Sequence, residues 1–567
     1  MSATPERVLH IRPRFLFAAV IICIIFVHLS YIFNGFTWLD HGDIESGRAF
    51  THAQNLETIL THRYAQTGFY RPAVTLFHSL DKALFNQWAP GYHLTNIILH
   101  VAAASSAVLF ISSYLPLGIL EKLIVMLIFG IHPLSWLPVG AISYRQEIML
   151  VLFMYIAVWA YAKNRNEGKD YYGVVAVIST FFALLSKETA IVLLPLYMGI
   201  WELKNGFSQM KRLTLQTTAM WIGLLVAGMG YLYLRYRAVP EIWKLSYTPM
   251  NMWQGIAMRI NVLGLRVIEV VSPLRPALSD AVEITQHLNV YGIFFLVLLC
   301  LCVYMGYKRW ISQSLWAPIA LCVISLLPAA NLIPLPRFSS PHYGYVLIAP
   351  VLACVLFISS YKPVKTALMY IAVLWVMIAM YYTYISGFAF KNDLTLFGRE
   401  VSRDSHFLEG HYYLGDYAWK HKDLSTAAFH YEMAYHPDPR YLAYVDRTSL
   451  LINYAGVLLE QGKPEKALPL LEEAHVQRAD VDKALITYNL ARAYYQKRNY
   501  QKVIELLSED IQWSRSEPYI MLAMSYYHQK EYKNAVSTFR KALPFLGTEG
   551  KAKVIELIKK IIIGDRL

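Results

Sequence analysis

The stretch Trp38-Leu39-Asp40-His41-Gly42-Asp43-Ile44-Glu45 follows an apolar run at about residues 14–33. An apolar run of about 20 residues is long enough to cross a bilayer as a helix. Acids and a histidine therefore stand where the chain leaves the membrane. They open a polar stretch, residues 35–90, which also holds Tyr70-Arg71-Pro72. Because a connection this long between two helices is usually functional, the stretch predicts a helical membrane protein with a site at one membrane surface.

The chain keeps this apolar character up to residue 387. It has 567 residues, 56% of them hydrophobic and 14% aromatic, and a mean hydropathy of +0.35. Soluble domains are rarely so apolar, so we predict an all-α, polytopic bundle. About eleven spans are expected, at about residues 14–33, 91–113, 118–131, 146–162, 171–186, 189–203, 216–236, 290–306, 314–333, 343–360 and 366–386. Residues 252–272 are apolar but carry interspersed charges, and we expect a helix along the outer membrane surface there.

The positive charges indicate the topology. The formal net charge is +13, and many Lys and Arg fall in short connectors such as Lys163–Lys169. Cytoplasmic loops carry such an excess. The N-terminus is therefore expected in the cytoplasm, and the connectors with Asp40, His132 and Lys187 on the opposite side. The same distribution argues against nucleic acid as a partner, and the five cysteines, all in apolar segments, predict no disulfide framework.

A different pattern begins after residue 387. From about Glu409 onward, small and aromatic residues recur at roughly the 34-residue period of tetratricopeptide repeats (TPRs). The first repeat, for example, has Tyr413-Leu414-Gly415 followed by Ala427 and Pro439. A solenoid of such repeats binds an extended peptide or a partner protein along its concave surface.

We therefore predict three parts in the chain. Residues 1–387 form a transmembrane domain with its external loop at 35–90, and residues 388–408 form a linker. Residues 409–567 form a TPR α-solenoid, in which Lys551–Ile563 is the capping helix. A cap is expected because a repeat stack cannot bury its own end face.

Asp40 is the strongest catalytic candidate. Sugar transfer to a hydroxyl needs a carboxylate that takes the acceptor proton as the donor bond breaks, and a lipid-linked donor requires that base at the membrane surface. The alternative is an acid that merely solvates a helix end, which is commoner for an isolated Asp. His41 and Asp43 are candidates to assist. The run Asp40–Asp43 also offers oxygens and an imidazole to a divalent ion, but without a defined metal-binding loop, so no metal ligands are assigned.

A second set of polar residues lies at helix ends on the predicted external side. Cationic side chains there are candidates to hold a lipid phosphate, because charge-assisted hydrogen bonds to phosphate are strong. Polar residues within membrane helices usually face the bundle interior or a cavity. The candidates for binding the donor are Arg71, His93, Asn96, His132, Arg145, Glu147, Lys187, Glu188, Arg337 and His342. The alternative for each is a structural hydrogen bond or ion pair between helices.

Taken in order, these motifs resemble a known family. The ordered set is Trp38…Asp40, Tyr70-Arg71-Pro72, Tyr92-His93-Leu94-Thr95-Asn96, His132-Pro133, Arg145…Glu147, Ser186-Lys187-Glu188, Ser272-Pro273-Leu274, Leu327-Pro328 and the TPR tail. It resembles the TMTC-type protein O-mannosyltransferases and their bacterial relatives over nearly the whole chain. The resemblance implies a GT-C fold, TPRs on the lumenal or periplasmic side, and a carboxylate after helix one that acts as base.

Some positions depart from that family's pattern. Leu39 stands where the family has the second acid of a pair, so Asp43 or Glu45 is a candidate to supply that charge. Pro341-His342 stands where the family often has Glu-Arg, which makes His342 a candidate replacement for an arginine. The family's His-Pro motif usually continues with a His and a Glu, and this chain has Ser135 and Leu137 there. The sugar and the acceptor are therefore left open.

The expected function is an inverting glycosyltransferase of the bacterial inner membrane that moves a sugar from a polyprenyl-phosphate donor to an acceptor, with a protein hydroxyl as first choice. One alternative is an envelope-polysaccharide glycosyltransferase whose TPRs dock an assembly complex. Another is a non-catalytic membrane scaffold whose TPRs recruit proteins. A transporter is disfavoured, because no broken-helix pair appears in matching halves. The expected partners are the donor, a protein or glycan acceptor, a TPR-bound protein and membrane lipid; a divalent metal is left open as a cofactor.

Overall fold

The computed structural model describes residues 12–206, 214–240, 250–308, 315–332, 334–359, 362–476, 483–508 and 513–563. Most of these residues are helical. The chain divides into two compact units, the first comprising Met1–Glu400 with Arg440–Leu442 and the second comprising Val401–Pro439 with Ala443–Leu567. The predicted linker, residues 388–408, contains a 3-10 turn at Phe388–Lys391 and a helix at Asp393–Arg403, and the boundary between the units falls inside that helix.

The first unit is a bundle of apolar helices joined by short polar turns. Its α-helices are α1 (Pro13–Val27), α2 (Leu29–Ile32), α3 (Leu56–Thr61), α4 (Pro72–Phe85), α5 (Ala89–Tyr114), α6 (Ile119–Gly130), α7 (Trp136–Gly140), α8 (Arg145–Glu167), α9 (Asp170–Ser186), α10 (Ala190–Asn205), α11 (Leu215–Ala238), α12 (Met252–Val271), α13 (Val290–Tyr307), α14 (Trp316–Ser325), α15 (Ile348–Ser359), α16 (Lys362–Gly387) and α17 (Asp393–Arg403). One π-helical turn, His41–Glu45, and 3-10 turns at Ile142–Tyr144 and Pro341–Leu347 lie in the polar loops at one end of the bundle.

Within the described residues, six helices are long and apolar enough to cross a membrane. They are Ala89–Tyr114, Ile142–Glu167, Leu215–Ala238, Val290–Tyr307, Pro341–Ser359 and Thr366–Lys391. The pair Ile119–Gly130 and Pro133–Gly140, bent by 46°, makes a seventh if it is one span. The chain is thus a multi-pass membrane protein, but the expected count of about eleven spans is not confirmed.

In the described residues, helices form at every one of the eleven predicted segments, but several of them are shorter than 18 residues. At three segments the helix is broken. The α1 helix ends at Val27, where the His28 side chain bonds the Ile24 carbonyl. The α6 helix ends just before Pro133, and α14 ends before the 3-10 turn that contains Pro328. Proline cannot donate a backbone hydrogen bond, so it favours such breaks.

The α12 helix packs by one face against the loop that holds Phe338. Its Met258 and Val262 are buried with Phe338, whereas Met252 and Trp253 are about two-thirds exposed. It crosses α13 very closely at Gly264, where an added Cβ would lie 2.0 Å from the Tyr291 carbonyl oxygen. This helix is not among those that meet the length and hydropathy test for a span.

One element was not predicted. Two short strands, β1 (Val282–Glu283) and β2 (Tyr441–Leu442), pair antiparallel with Val282 opposite Leu442. This pair explains why Arg440–Leu442 belongs with the first unit although the flanking residues belong with the second.

The second unit consists of helix pairs and a last single helix. Its helices are α18 (Leu408–Lys420), α19 (Leu424–Tyr435), α20 (Arg447–Glu460), α21 (Pro464–Val476), α22 (Lys483–Gln496), α23 (Tyr500–Leu507), α24 (Ser516–His528), α25 (Tyr532–Ala542) and α26 (Thr548–Ile563). The recurring small residues are fully buried, as at Ala427, Ala455 and Ala523. The last helix buries Val554 and Ile558 against the repeat before it, so it covers that repeat's apolar face.

Candidate active site

Asp40 follows α1 and α2 and lies at the end of the bundle where the polar loops begin. Its side chain is fully buried. One carboxylate oxygen accepts the Ser143 backbone N–H at 2.7 Å and the other accepts the Ile142 N–H at 3.2 Å. Burial raises the pKa of Asp40 to about 6, against the opposing effect of the bonds from Ser143 and Ile142. The acid is therefore anchored to the turn that precedes α8 and titrates close to neutral pH.

The backbone before Asp40 is strained. Trp38 has a φ of 56°, which is unfavourable for a bulky residue. The conformation is held by Asp393, whose carboxylate accepts the Trp38 N–H at 2.8 Å, and by contact of the buried indole with the tilted ring of Tyr144, at 5.0 Å between centroids. Strained residues of this kind persist only where the surroundings determine them, and they cluster at functional sites.

His41 joins the same anchor. Its Nε2 lies 2.9 Å from the Asp393 carboxylate and its Nδ1 lies 2.6 Å from Glu45. Both ring nitrogens are thus engaged, which makes His41 a link between the first and last segments of the unit. Asp393 was missed by the sequence analysis. The available indication was its position, since it follows the last apolar helix much as Asp40 follows the first.

Asp43 is the second acid of the site. It is 5% exposed, accepts a hydrogen bond from the Tyr64 hydroxyl at 3.2 Å, and lies 3.6 Å from the Arg48 guanidinium. Burial raises the pKa of Asp43, while the charges of Arg48 and Arg71 oppose that rise. The charge of Asp43 in turn adds a smaller rise to the pKa of Asp40.

Two predicted cations, Arg71 and Lys187, are each paired with a glutamate in the same region. Arg71 is 8% exposed, lies 3.5 Å from Glu188, and has a buried Nε without a hydrogen-bond partner among the described residues. Lys187 is buried and donates to Glu147 at 2.5 Å. A buried guanidinium nitrogen without a partner is costly, which favours a site built to receive an acceptor atom.

The ring of polar groups closes through the last loop. His342 lies 3.6 Å from Glu147, and its ring meets Tyr144 edge-on at 4.8 Å. The Arg337 guanidinium stacks over Trp38 at 5.1 Å. The structure thus brings together candidates from four separate parts of the chain. The polar cluster, as we name it, comprises Asp40, Asp43, Arg71, Glu147, Lys187, Glu188, Arg337 and His342.

Two predicted residues belong to a different network. The Arg145 side chain is fully buried, lies 2.5 Å from Asp81, and donates to Asn96 at 2.6 Å and to the Tyr92 carbonyl at 3.1 Å. These contacts tie α8 to α4 and α5. The geometry therefore gives Arg145 and Asn96 a structural setting, with Asp81 as the partner that the sequence analysis did not name.

The remaining predicted histidines contact backbone atoms. His93 lies 3.2 Å from the Gly35 carbonyl. His132 lies 2.9 Å from the Val270 carbonyl and accepts the Leu134 N–H at 3.1 Å. Neither is linked to the polar cluster by a direct contact in the described residues, and their part in donor binding stays a prediction.

A metal is not supported by the donor set. The described residues contain no group of three or more His, Cys, Asp or Glu side chains able to hold a metal ion. The oxygens of Asp40 and Asp43 already accept bonds from backbone N–H groups and from Tyr64. We therefore derive no step through a metal.

The polar cluster combines two chemical capacities. A carboxyl whose pKa lies near 6 is ionised at neutral pH and still basic enough to take a proton. Cationic side chains around it can stabilise a leaving group that gains negative charge. The aromatic rings of Trp38 and Tyr144 lie beside the carboxyl and the cationic side chains.

Comparisons with known proteins agree with the resemblance seen in the motifs. Two tetratricopeptide repeat models match residues 455–512 and 516–543, so the C-terminal unit contains TPRs. "Protein O-mannosyl-transferase Tmtc1" of Drosophila melanogaster is 26% identical over 183 residues, which are 30% of this chain and 21% of that protein. The match thus spans about a fifth of that relative. The predicted resemblance to the TMTC-type proteins is confirmed at this level.

A solved structure was also found. The crystal structure of ArnT from Cupriavidus metallidurans in the apo state aligns with 88% of this chain and 81% of that chain, at 11% identity and a TM-score of 0.38. A score this low carries no argument about the fold or the site.

Proposed function

We propose that the chain is a membrane glycosyltransferase that moves a sugar from a polyprenyl-phosphate donor to a hydroxyl acceptor with inversion at the anomeric carbon. The observation that carries the proposal is the polar cluster itself. An acid with a pKa near 6 and three cations, from three separate regions of the chain, lie at the same end of an apolar bundle. The partial similarity to Tmtc1 supports the same class of reaction.

Asp40 is proposed as the general base. Each of its oxygens accepts one backbone N–H, and a carboxylate oxygen has a further lone pair. The group can therefore take the acceptor proton while it stays anchored. The acceptor oxygen forms the new bond to the anomeric carbon as the bond from that carbon to the phosphate oxygen breaks.

Arg71, Lys187 and Arg337 are proposed to hold the phosphate. The departing polyprenyl phosphate gains negative charge, which these side chains stabilise. Glu147 and Glu188 pair with Lys187 and Arg71, so they keep the cations positioned before the donor arrives. His342, in contact with Glu147, is proposed to orient that pair.

The location and partners are also proposals. The distribution of Lys and Arg favours a cytoplasmic N-terminus and a polar cluster on the periplasmic side of the bacterial inner membrane. The TPR unit is proposed to be periplasmic as well and to present a protein acceptor, because such repeats bind extended peptides. A glycan acceptor and a purely scaffolding role are the two alternatives.

The test is donor turnover by the purified full-length chain in nanodiscs. A panel of polyprenyl-phosphate sugars is supplied, and release of polyprenyl phosphate is measured. Arg337→Gln should raise the KM for the donor by about 10- to 100-fold, since a hydrogen bond to a charged group is worth roughly 1.5–3 kcal/mol. The matched control is Arg237→Gln, an exposed arginine at the end of α11, which should leave KM unchanged.

The scaffold alternative makes the opposite prediction. A scaffold would release no polyprenyl phosphate from any donor, and its partner proteins would still co-purify with Asp40→Asn. The polysaccharide alternative is distinguished by the product, since labelled sugar would then appear in envelope glycan and not on protein.

A further inference from the structure

A cavity of about 560 Å³ lies at the end of the bundle opposite to the polar cluster. It is lined by α1, α5, α6 and α8. On α8 the cluster residue Glu147 is near the start of the helix and the cavity residue Lys163 is near its end. Sixteen residues of helix separate them, about 24 Å at 1.5 Å per residue. The cavity is therefore distinct from the proposed active site.

The lining changes from apolar to polar towards the membrane surface. On α5 the apolar Val108 is followed by Ser112 and Ser113, and on α8 the ring of Trp159 is followed by Lys163. On α6, which runs the other way, the polar residue comes first. On α5, α6 and α8 the lining residues nearest this surface are thus polar, whereas α1 contributes only Phe17 and Ile21, and Ser105 adds one hydroxyl deeper in the cavity. A polar end and a mostly apolar interior suit an amphiphile with a polar head and an apolar tail.

The polar end is also positively charged. Lys122 and Lys163 line the cavity. The Lys163 ammonium forms an ion pair with Glu167 at 2.8 Å, and its side chain is 41% exposed. Lys122 is half-buried, and its ammonium group has no ion-pair or hydrogen-bond partner among the described residues. A partly buried ammonium without a partner favours an anion beside it.

The size of the cavity agrees with such a ligand. Sites for small molecules usually measure about 300–1,000 Å³ and are mostly apolar with a few placed polar groups. The two lysines Lys122 and Lys163 make the polar end of this cavity basic. Basic pockets between membrane helices bind anionic lipid head groups at such surfaces.

We propose that this cavity binds an anionic phospholipid, with its phosphate between Lys122 and Lys163 and one acyl chain along Phe17, Met126 and Trp159. The site needs no contribution from the polar cluster. It does not depend on the glycosyltransferase proposal, and either can fail without the other.

The experiment titrates the full-length chain in detergent with phosphatidylglycerol and counts bound lipid by native mass spectrometry. Lys122→Gln should weaken binding about fivefold, since a lysine near anionic lipid contributes about 1 kcal/mol. Lys308→Gln is the matched control, because Lys308 is an exposed lysine that does not line the cavity, and it should leave the affinity unchanged.

A second pair of measurements tests the lipid as the occupant. Leu109→Trp narrows the apolar wall and keeps both lysines, so it should weaken phosphatidylglycerol binding. Phosphatidylcholine with the same acyl chains should bind more weakly than phosphatidylglycerol. Inorganic phosphate should not compete; strong competition by it would show a site for the free ion and overturn the lipid proposal. Equal weakening by Lys122→Gln and Lys308→Gln, or none by either, would also overturn it.

Discussion

Replacement of Asp40 by Asn separates the catalytic role of this acid from its structural one. Asn keeps the size of the side chain and can still accept one backbone N–H through its oxygen. Its amide group faces the second N–H, so one of the two bonds from Ser143 and Ile142 is lost. An unsatisfied buried donor costs roughly 1–3 kcal/mol.

Removal of the buried charge has the opposite effect and raises the free energy of unfolding. The pKa of Asp40 rises from 3.8 to about 6 because the carboxyl is buried. That shift of about two units corresponds to about 3 kcal/mol at 1.36 kcal/mol per unit, and it disfavours the ionised folded state at pH 7. Asn carries no such penalty. The two effects nearly cancel, so the free energy of unfolding at pH 7 should change by only about 1 kcal/mol.

The direction in which stability changes with pH follows from the folded and unfolded pKa values of Asp40. Because the folded pKa lies above the unfolded one, the contribution of Asp40 to stability is fully present below about pH 4 and is lost as pH rises through about 6. Thermal unfolding in detergent at pH 7 and pH 5 should therefore show a smaller difference for Asp40→Asn than for the native chain. The native chain gains about 1 kcal/mol from this group between those two pH values.

Turnover should respond much more strongly. Loss of a general base lowers the rate by about 10²–10⁴-fold, with little change in KM for the donor. Asp43→Asn is the matched comparison, because that acid is also buried but contacts Tyr64 and Arg48. If folded Asp40→Asn kept more than about a tenth of native turnover while Asp43→Asn lost it, the base would be Asp43 and the role given to Asp40 would be wrong.

Three further outcomes are expected. The rate of donor turnover should fall as pH drops through about 6, where Asp40 becomes protonated, and a pH–rate profile checks this against a flat profile for a site without a carboxyl base. Lys187→Met should lower the free energy of unfolding by about 3–5 kcal/mol by leaving Glu147 buried and unpaired; the double variant with Glu147→Leu should regain stability but not turnover. Gly264→Ala should lower the melting temperature, since its Cβ would meet backbone at 2.0 Å, whereas Gly199→Ala, with open space around it, should raise it slightly.

Hydrophobic patterning was sufficient to locate the helices. Every predicted apolar segment is helical, and the TPR period is confirmed by the matching repeat models. The lengths of the helices were less predictable, because breaks such as the one after Gly130 depend on how a turn packs in the bundle. The pairing of residues 282–283 with residues 441–442 could not be predicted from the sequence, because a two-residue strand shows no periodicity.

The partners of the buried charges could not be predicted from one sequence. Arg145 and Lys187 both stand at helix ends beside acids, and both were candidates for the donor phosphate. The structure pairs Arg145 with Asp81, whose other oxygen accepts a hydrogen bond from the Thr95 hydroxyl of α5, and pairs Lys187 with Glu147. In a low dielectric the attraction between opposite charges is strong and falls with their separation. The separation between two side chains is set by the folded bundle and cannot be read from the sequence.

Asp393 shows why the site holds together at the point where its backbone is strained. Its two oxygens receive the Trp38 N–H and face the His41 ring, so one carboxylate links the segment after the first helix to the segment after the last. Positive φ at a bulky residue costs of order 1–3 kcal/mol, and two charge-assisted hydrogen bonds can offset it. The position of Asp40 therefore depends on an acid more than 350 residues away in the chain. A change at Asp393 should shift Asp40 relative to the cations of the polar cluster without touching either.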